Sequence, residues 1–148
     1  MAGESIYKSM DTQVQITDAR DPRRLRELME RAATLFREHQ VRSVVVGLAG
    51  FEGDTVFPEI VDYIESALRV DDSVFRMTRE RVVLLLTDVD AEKASSIVHR
   101  LLGEFRENFP SVNEPSVGLG FFEIGPGVND ISVKSVLPAL FAAGPVSH

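Results

Sequence analysis

The chain has 148 residues and 44% apolar content, which fits one globular domain with a core of its own and is too little for two. Its 23 acidic against 16 basic side chains give a net charge of -7, which repels phosphate backbones and anionic lipid and argues against a general nucleic-acid or membrane-surface binder. With no cysteine there is no disulfide, thiolate metal site or cysteine nucleophile; His39, His99 and His148 lack metal-ligand spacing, and no apolar run approaches the roughly 18 residues of a membrane span, so the expected compartment is the cytoplasm.

Residues 1–16 are polar and without period, and read as a loose N-terminal arm. Asp21-Pro22 is a helix start, and Leu25, Leu28, Met29, Ala32, Leu35 and Phe36 make one apolar face of a helix to about His39. Ser43 to Ala49 is a β-branched run suited to a central strand, and Gly50 to Thr55 turns the chain. Ile60, Val61, Ile64, Ala67 and Leu68 then mark a second helix ending near Arg69. Val74 to Met77 and Val82 to Leu86 read as a hairpin around Thr78-Arg79-Glu80-Arg81. Asp90 caps a third helix with Ala94, Ile97, Val98, Leu101, Leu102 and Phe105 on its core face. Pro110 to Pro115 is loop, Ser116 to Ile124 is strand, and Gly125 to Asp130 is turn. A short helix over about Ser135 to Ala143 stops at Gly144. From Ser43 the order is strand, helix, strand, strand, helix, strand, which predicts an α+β fold: a ferredoxin-like or palm βαββαβ arrangement with an antiparallel sheet and helices packed on it. Such a sheet serves enzymes and pure binders alike, so it does not by itself assign a function.

Several stretches, in order, resemble the GGDEF domain of diguanylate cyclases between about Thr17 and Gly144. Asp18-Ala19 and Asp21 to Leu25 are similar to the family opening D-x-L-T-G-L-x-N-R, and Val44 to Phe51 to its first strand with the D-x-D-x-F ending. Leu68 to Asp72 and Phe75 to Leu86 resemble the stretch around R-Y-G-G-D-E-F-x-x-L-L; Ser116 to Gly120 resembles S-I-G-I-A, and Ala139-Leu140-Phe141 resembles A-L-Y. The resemblance places a degenerate domain of this family at residues 17–145, standing alone at this length.

The departures fall where the family's chemistry lies, because making cyclic di-GMP takes two metal ions on acidic side chains. At the two aspartate positions of the first strand stand Gly47 and Ala49, leaving Glu80 as the one carboxylate of the set. Thr78 and Arg79 replace the signature glycines, whose lack of a side chain lets guanine approach the hairpin. The loop that carries the guanine-binding Asn and Asp is missing, since Phe51 to Asp54 runs directly into the helix, and Ala143 lies near the lysine that follows A-L-Y. These losses imply a domain that is not an enzyme and holds no cofactor.

What the resemblance leaves is an inhibitory-type R-x-x-D motif five residues before the signature. Arg69-Val70-Asp71-Asp72 has that form at that spacing, and ungapped counting puts the accompanying helix arginine at Arg100. Arginine forks match guanine O6 and N7, and a carboxylate accepts from guanine amines. Arg69, Asp72 and Arg100 are therefore the expected cyclic di-GMP ligands, with Arg76 as an auxiliary charge or a partner of Asp72. The same residues also read as an ion pair at a helix end. The arginines at 20, 23, 24 and 26 either face an acidic partner or pair with Asp18, Glu27 and Glu30. Two functions follow: a cytoplasmic cyclic di-GMP receptor that signals to an unidentified protein partner, or a nucleotide-independent module for protein interaction or homodimerisation. Neither involves nucleic acid or a membrane.

Overall fold

The computed structural model describes residues 21–109, 117–128 and 131–141. The proposed N-terminal arm, Asp18-Ala19, the loop from Pro110 to Pro115 and the stop at Gly144 lie outside them. The elements are α1 (Arg23–His39), β1 (Ser43–Ala49), α2 (Phe57–Ala67), β2 (Ser73–Thr78), β3 (Arg81–Thr87), α3 (Ala91–Asn108), β4 (Gly118–Ile124) and α4 (Val133–Leu140).

Every residue of the β-branched β1 is buried, as a strand covered on both faces requires. β1 pairs antiparallel with β3, from Ser43 opposite Thr87 to Ala49 opposite Arg81, and with β4, from Ser43 opposite Ile124 to Ala49 opposite Gly118. With β2 on the outer side of β3, the sheet order is β2-β3-β1-β4. This is the antiparallel βαββαβ sheet expected from the sequence.

Strand alternation divides the core in two. Val44, Val46 and Leu48 with Val82, Leu84 and Leu86 face α2 and α3, which bury Ile60, Val61, Ile64, Ala94, Val98, Leu101 and Phe105 against them. Val45, Val83, Leu85, Phe75 and Ile124 face the other way, under Leu25, Met29 and Ala32 of α1 and Val136 and Leu140 of α4. Among the described residues no helix is long and apolar enough to cross a membrane.

Several element ends differ from expectation, and β4 begins at Gly118 rather than Ser116. α1 begins at Arg23 rather than Pro22, so Pro22 and not Asp21 is its N-cap residue, although the Asp21 carboxylate accepts the Arg23 N–H at 2.9 Å. α2 ends at Ala67, because Leu68 turns extended. The hairpin strands run one residue further at each end, and a two-residue turn at Arg79-Glu80 remains. α4 starts at Val133 rather than Ser135, because the Ser132 hydroxyl accepts the Ser135 N–H at 3.2 Å. Of the arginine-rich start, Arg23 pairs with Asp21 and Arg24 with Glu27.

Candidate functional site

At the end of α2 the Arg69 carbonyl accepts the Asp72 N–H at 3.0 Å, which closes a turn over the R-x-x-D residues. The Asp72 carboxylate is the hub of this turn: its side chain is only 4% exposed and accepts from Arg69 Nε and Nη2, both at 3.2 Å, and from the Thr87 N–H at 3.1 Å. Arg69 Nη2 also donates to the Thr87 carbonyl, and the Thr87 hydroxyl donates to the Asp71 carbonyl at 3.2 Å. The loop is thereby tied at three points to the end of β3. Hydrogen bonding and attraction by Asp72, with Asp71 and Asp88 further off, hold the Arg69 guanidinium above its ordinary pKa, so its charge is permanent.

Past Thr87 the chain passes through Asp88 in the left-handed region, φ 62°, into Val89, whose N–H donates to the Arg42 carbonyl at 3.1 Å. Asp90 then caps α3 by accepting the Lys93 N–H at 2.8 Å. Between the end of α2, this connection and α3 lies an open hollow of about 410 Å³. Arg69, Asp72, Asp88, Lys93 and Arg100 line it with polar groups, over apolar walls that include Leu68, Val89 and Ile97. The three expected ligand residues are thus brought together from α2's end and α3. Arg69 Nη1 makes no hydrogen bond among the described residues. Arg100 is 62% exposed and reaches Glu104 at 3.6 Å, where Glu104 also accepts from the Tyr63 hydroxyl at 3.0 Å.

Arg76 is not brought to this hollow. It donates to Asp62 at 2.9 Å and Glu65 at 2.8 Å on α2 rather than to Asp72, and lines a separate depression with Pro58, Thr78 and Arg79. Sequence reasoning passed over Lys93 and Asp88. The available signal for Lys93 was its position seven residues before Arg100, two turns along the same helix face.

The other end of the sheet carries the signature positions. A Cβ built on Gly47 would lie 2.9 Å from Leu140 Cβ and 3.2 Å from the Phe141 ring, and Ala49 is 3% exposed. Glu80 accepts the Gly53 N–H at 3.4 Å, and Arg81 lies 5.2 Å over the Phe141 ring. Asp54 accepts the N–H groups of Val56 and Phe57 at 2.8 and 3.1 Å, so α2 starts directly after the turn at Glu52-Gly53. Among the described residues no three Asp, Glu or His side chains converge to hold a metal ion.

Solved structures share this fold. PelD from Pseudomonas aeruginosa PAO1 is 20% identical with TM-score 0.64 over 78% of this chain and 42% of that one, so the chain spans less than half of the PelD chain it matches. The P. aeruginosa diguanylate cyclase SiaD, in complex with its activator SiaC, is 17% identical with TM-score 0.65 over 94% of this chain and 65% of that one. A microbial GGDEF domain described in its interaction with bis-(3′,5′)-cyclic di-GMP is 13% identical with TM-score 0.63 over 84% of this chain and 89% of that one. No curated protein matches the sequence. The family profile described as diguanylate cyclase, GGDEF domain, matches residues 50–127, more than half of the chain and the stretch that holds both the signature hairpin and the R-x-x-D hollow. On that match, in the fold just described, the chain belongs to the GGDEF domain family.

Proposed function

We propose that this chain is a GGDEF-family receptor for cyclic di-GMP that does not synthesise the nucleotide, and that ligand in the R-x-x-D hollow alters its contact with a protein partner. The observation that carries the reading is the Asp72-clamped Arg69, which lines one hollow together with Arg100. A guanidinium donor fixed in this way meets the acceptor edge of guanine or a phosphodiester oxygen with little orientation left to lose. A pair of metal ions does not fit the donors at the signature end: Gly47 and Ala49 supply no ligand atom, and a side chain at Gly47 has to displace Leu140.

Isothermal titration with cyclic di-GMP tests the reading. Saturable binding that is lost in Arg69→Ala is the expected result. No heat at high protein concentration, or equal affinity in Arg69→Ala, overturns it. The observation favouring a protein-facing role is Val70, 98% exposed within the motif itself. A partner or a homodimer that forms equally with and without cyclic di-GMP, and equally in Arg69→Ala, favours the nucleotide-independent module instead.

A further inference from the structure

We propose that Lys93 is a further ligand-binding residue of this hollow, its ammonium holding a phosphoryl oxygen of the bound nucleotide while Arg69 and Arg100 take the rest. The inference rests on the cyclic di-GMP reading above. Three observations carry it.

First, Lys93 lines the same hollow as Arg69, Asp72 and Arg100, and it projects from the same side of α3 as Ile97 and Arg100, at positions i, i+4 and i+7. Second, its ammonium has no ion pair among the described residues. Of the positions one turn away, Val89 and Ile97 are apolar, and the Asp90 carboxylate accepts the Lys93 backbone N–H as the cap of α3. Arg69 and Arg100, by contrast, each already face a carboxylate, Asp72 and Glu104. Third, backbone donors at the start of α3 are engaged within the protein. The Ala91 N–H donates to Glu123 at 2.8 Å, and the Lys93 and Ala94 N–H groups donate to Asp90.

The charges in the hollow agree with a ligand of this class. Arg69, Lys93 and Arg100 oppose Asp72 and Asp88, and Asp72 is already neutralised by Arg69. Lys93 is then the cation lining the hollow that has no ion pair among the described residues, available to a phosphodiester of a cyclic dinucleotide. Asp88 is the other carboxylate lining the hollow, a group that accepts hydrogen bonds from amines.

Titrating cyclic di-GMP into the full chain and into Lys93→Ala, Lys93→Arg, Arg69→Ala and Lys134→Ala, at two salt concentrations and with folding checked by circular dichroism, tests the proposal. Lys134 is an exposed lysine of α4 and controls for net charge alone. The expected result is about tenfold weaker binding in Lys93→Ala with a shallower salt dependence, the size of one partly exposed charge-assisted contact. Lys93→Arg should recover most of the affinity, and Lys134→Ala should bind like the unchanged chain. Equal affinity in Lys93→Ala, or an equal loss in Lys134→Ala, overturns the role of Lys93 while the Arg69 reading stands. No binding by the unchanged chain, or none lost in Arg69→Ala, overturns both.

Discussion

Asp72 and Arg69 occupy one motif but do different physical work. The Asp72 carboxylate is nearly buried and satisfies the Thr87 N–H as well as Arg69, so its removal leaves a backbone donor at the end of β3 without its partner. Asp72→Ala should therefore lower stability by about 1–3 kcal/mol in urea unfolding. Arg69 is 54% exposed, and the loss of its side chain should change stability by less than about 1 kcal/mol. The prediction is a split: Arg69→Ala unfolds near the midpoint of the unchanged chain, whereas Asp72→Ala unfolds at clearly lower urea. Equal destabilisation would mean that the pair acts as one structural clasp. The spacing of Arg69 and Asp72 was legible in the sequence, because a motif is a statement about neighbours along the chain. The part played by Thr87 was not, since it comes from a strand whose register only the folded sheet defines. Arg76 shows the converse: its nearness in sequence to the motif suggested a shared site, but its strand turns it toward Asp62 and Glu65.

Among the elements, α4 depends most on residues that lack side chains. Gly47 and Gly120 face each other across β1 and β4, and the end of α4 lies against both. A Cβ on Gly120 would come 2.2 Å from the Leu140 carbonyl oxygen, a contact that only a backbone shift relieves. Gly120→Ala should accordingly destabilise the protein by about 1–3 kcal/mol, the usual cost of overpacking, and should loosen α4 first. Hydrogen exchange checks this: protection should fall at Val136 to Leu140 before it falls in β1, and an unchanged melting temperature would refute the close approach. Helix and strand identities were readable along the chain, because burial on one or two faces leaves a period of 3.6 or a continuous β-branched run. Their ends were less so, being set by single hydrogen bonds such as the one from Ser135 N–H to Ser132. The glycine pair that admits α4 had no sequence signal, since its meaning lies in a cross-strand contact.

At the scale of the molecule, the R-x-x-D hollow and the signature hairpin stand at opposite ends of β3. The hairpin turn precedes Arg81 and the Arg69 clamp grips Thr87, so seven residues of strand separate them, roughly 20 Å. They also belong to different layers. The hollow opens where α2 and α3 cover one face, while Gly47 points, by alternation from Val45, into the face covered by α4. A change at one end therefore places no physical demand on the other, so the proposed binding at the hollow does not depend on synthesis at the hairpin. The same geometry leaves little room for a carboxylate at Gly47. Returning aspartate to both strand positions, in Gly47→Asp with Ala49→Asp, restores the number of carboxylates but drives one of them into Leu140 and Phe141. With GTP and magnesium or manganese, neither the unchanged chain nor this double variant should form cyclic di-GMP, and the double variant should melt at lower temperature. Product from the unchanged chain, measured by chromatography, would overturn the non-catalytic reading. Product from the double variant alone would show instead that α4 moves aside readily and that the missing carboxylates were the whole barrier.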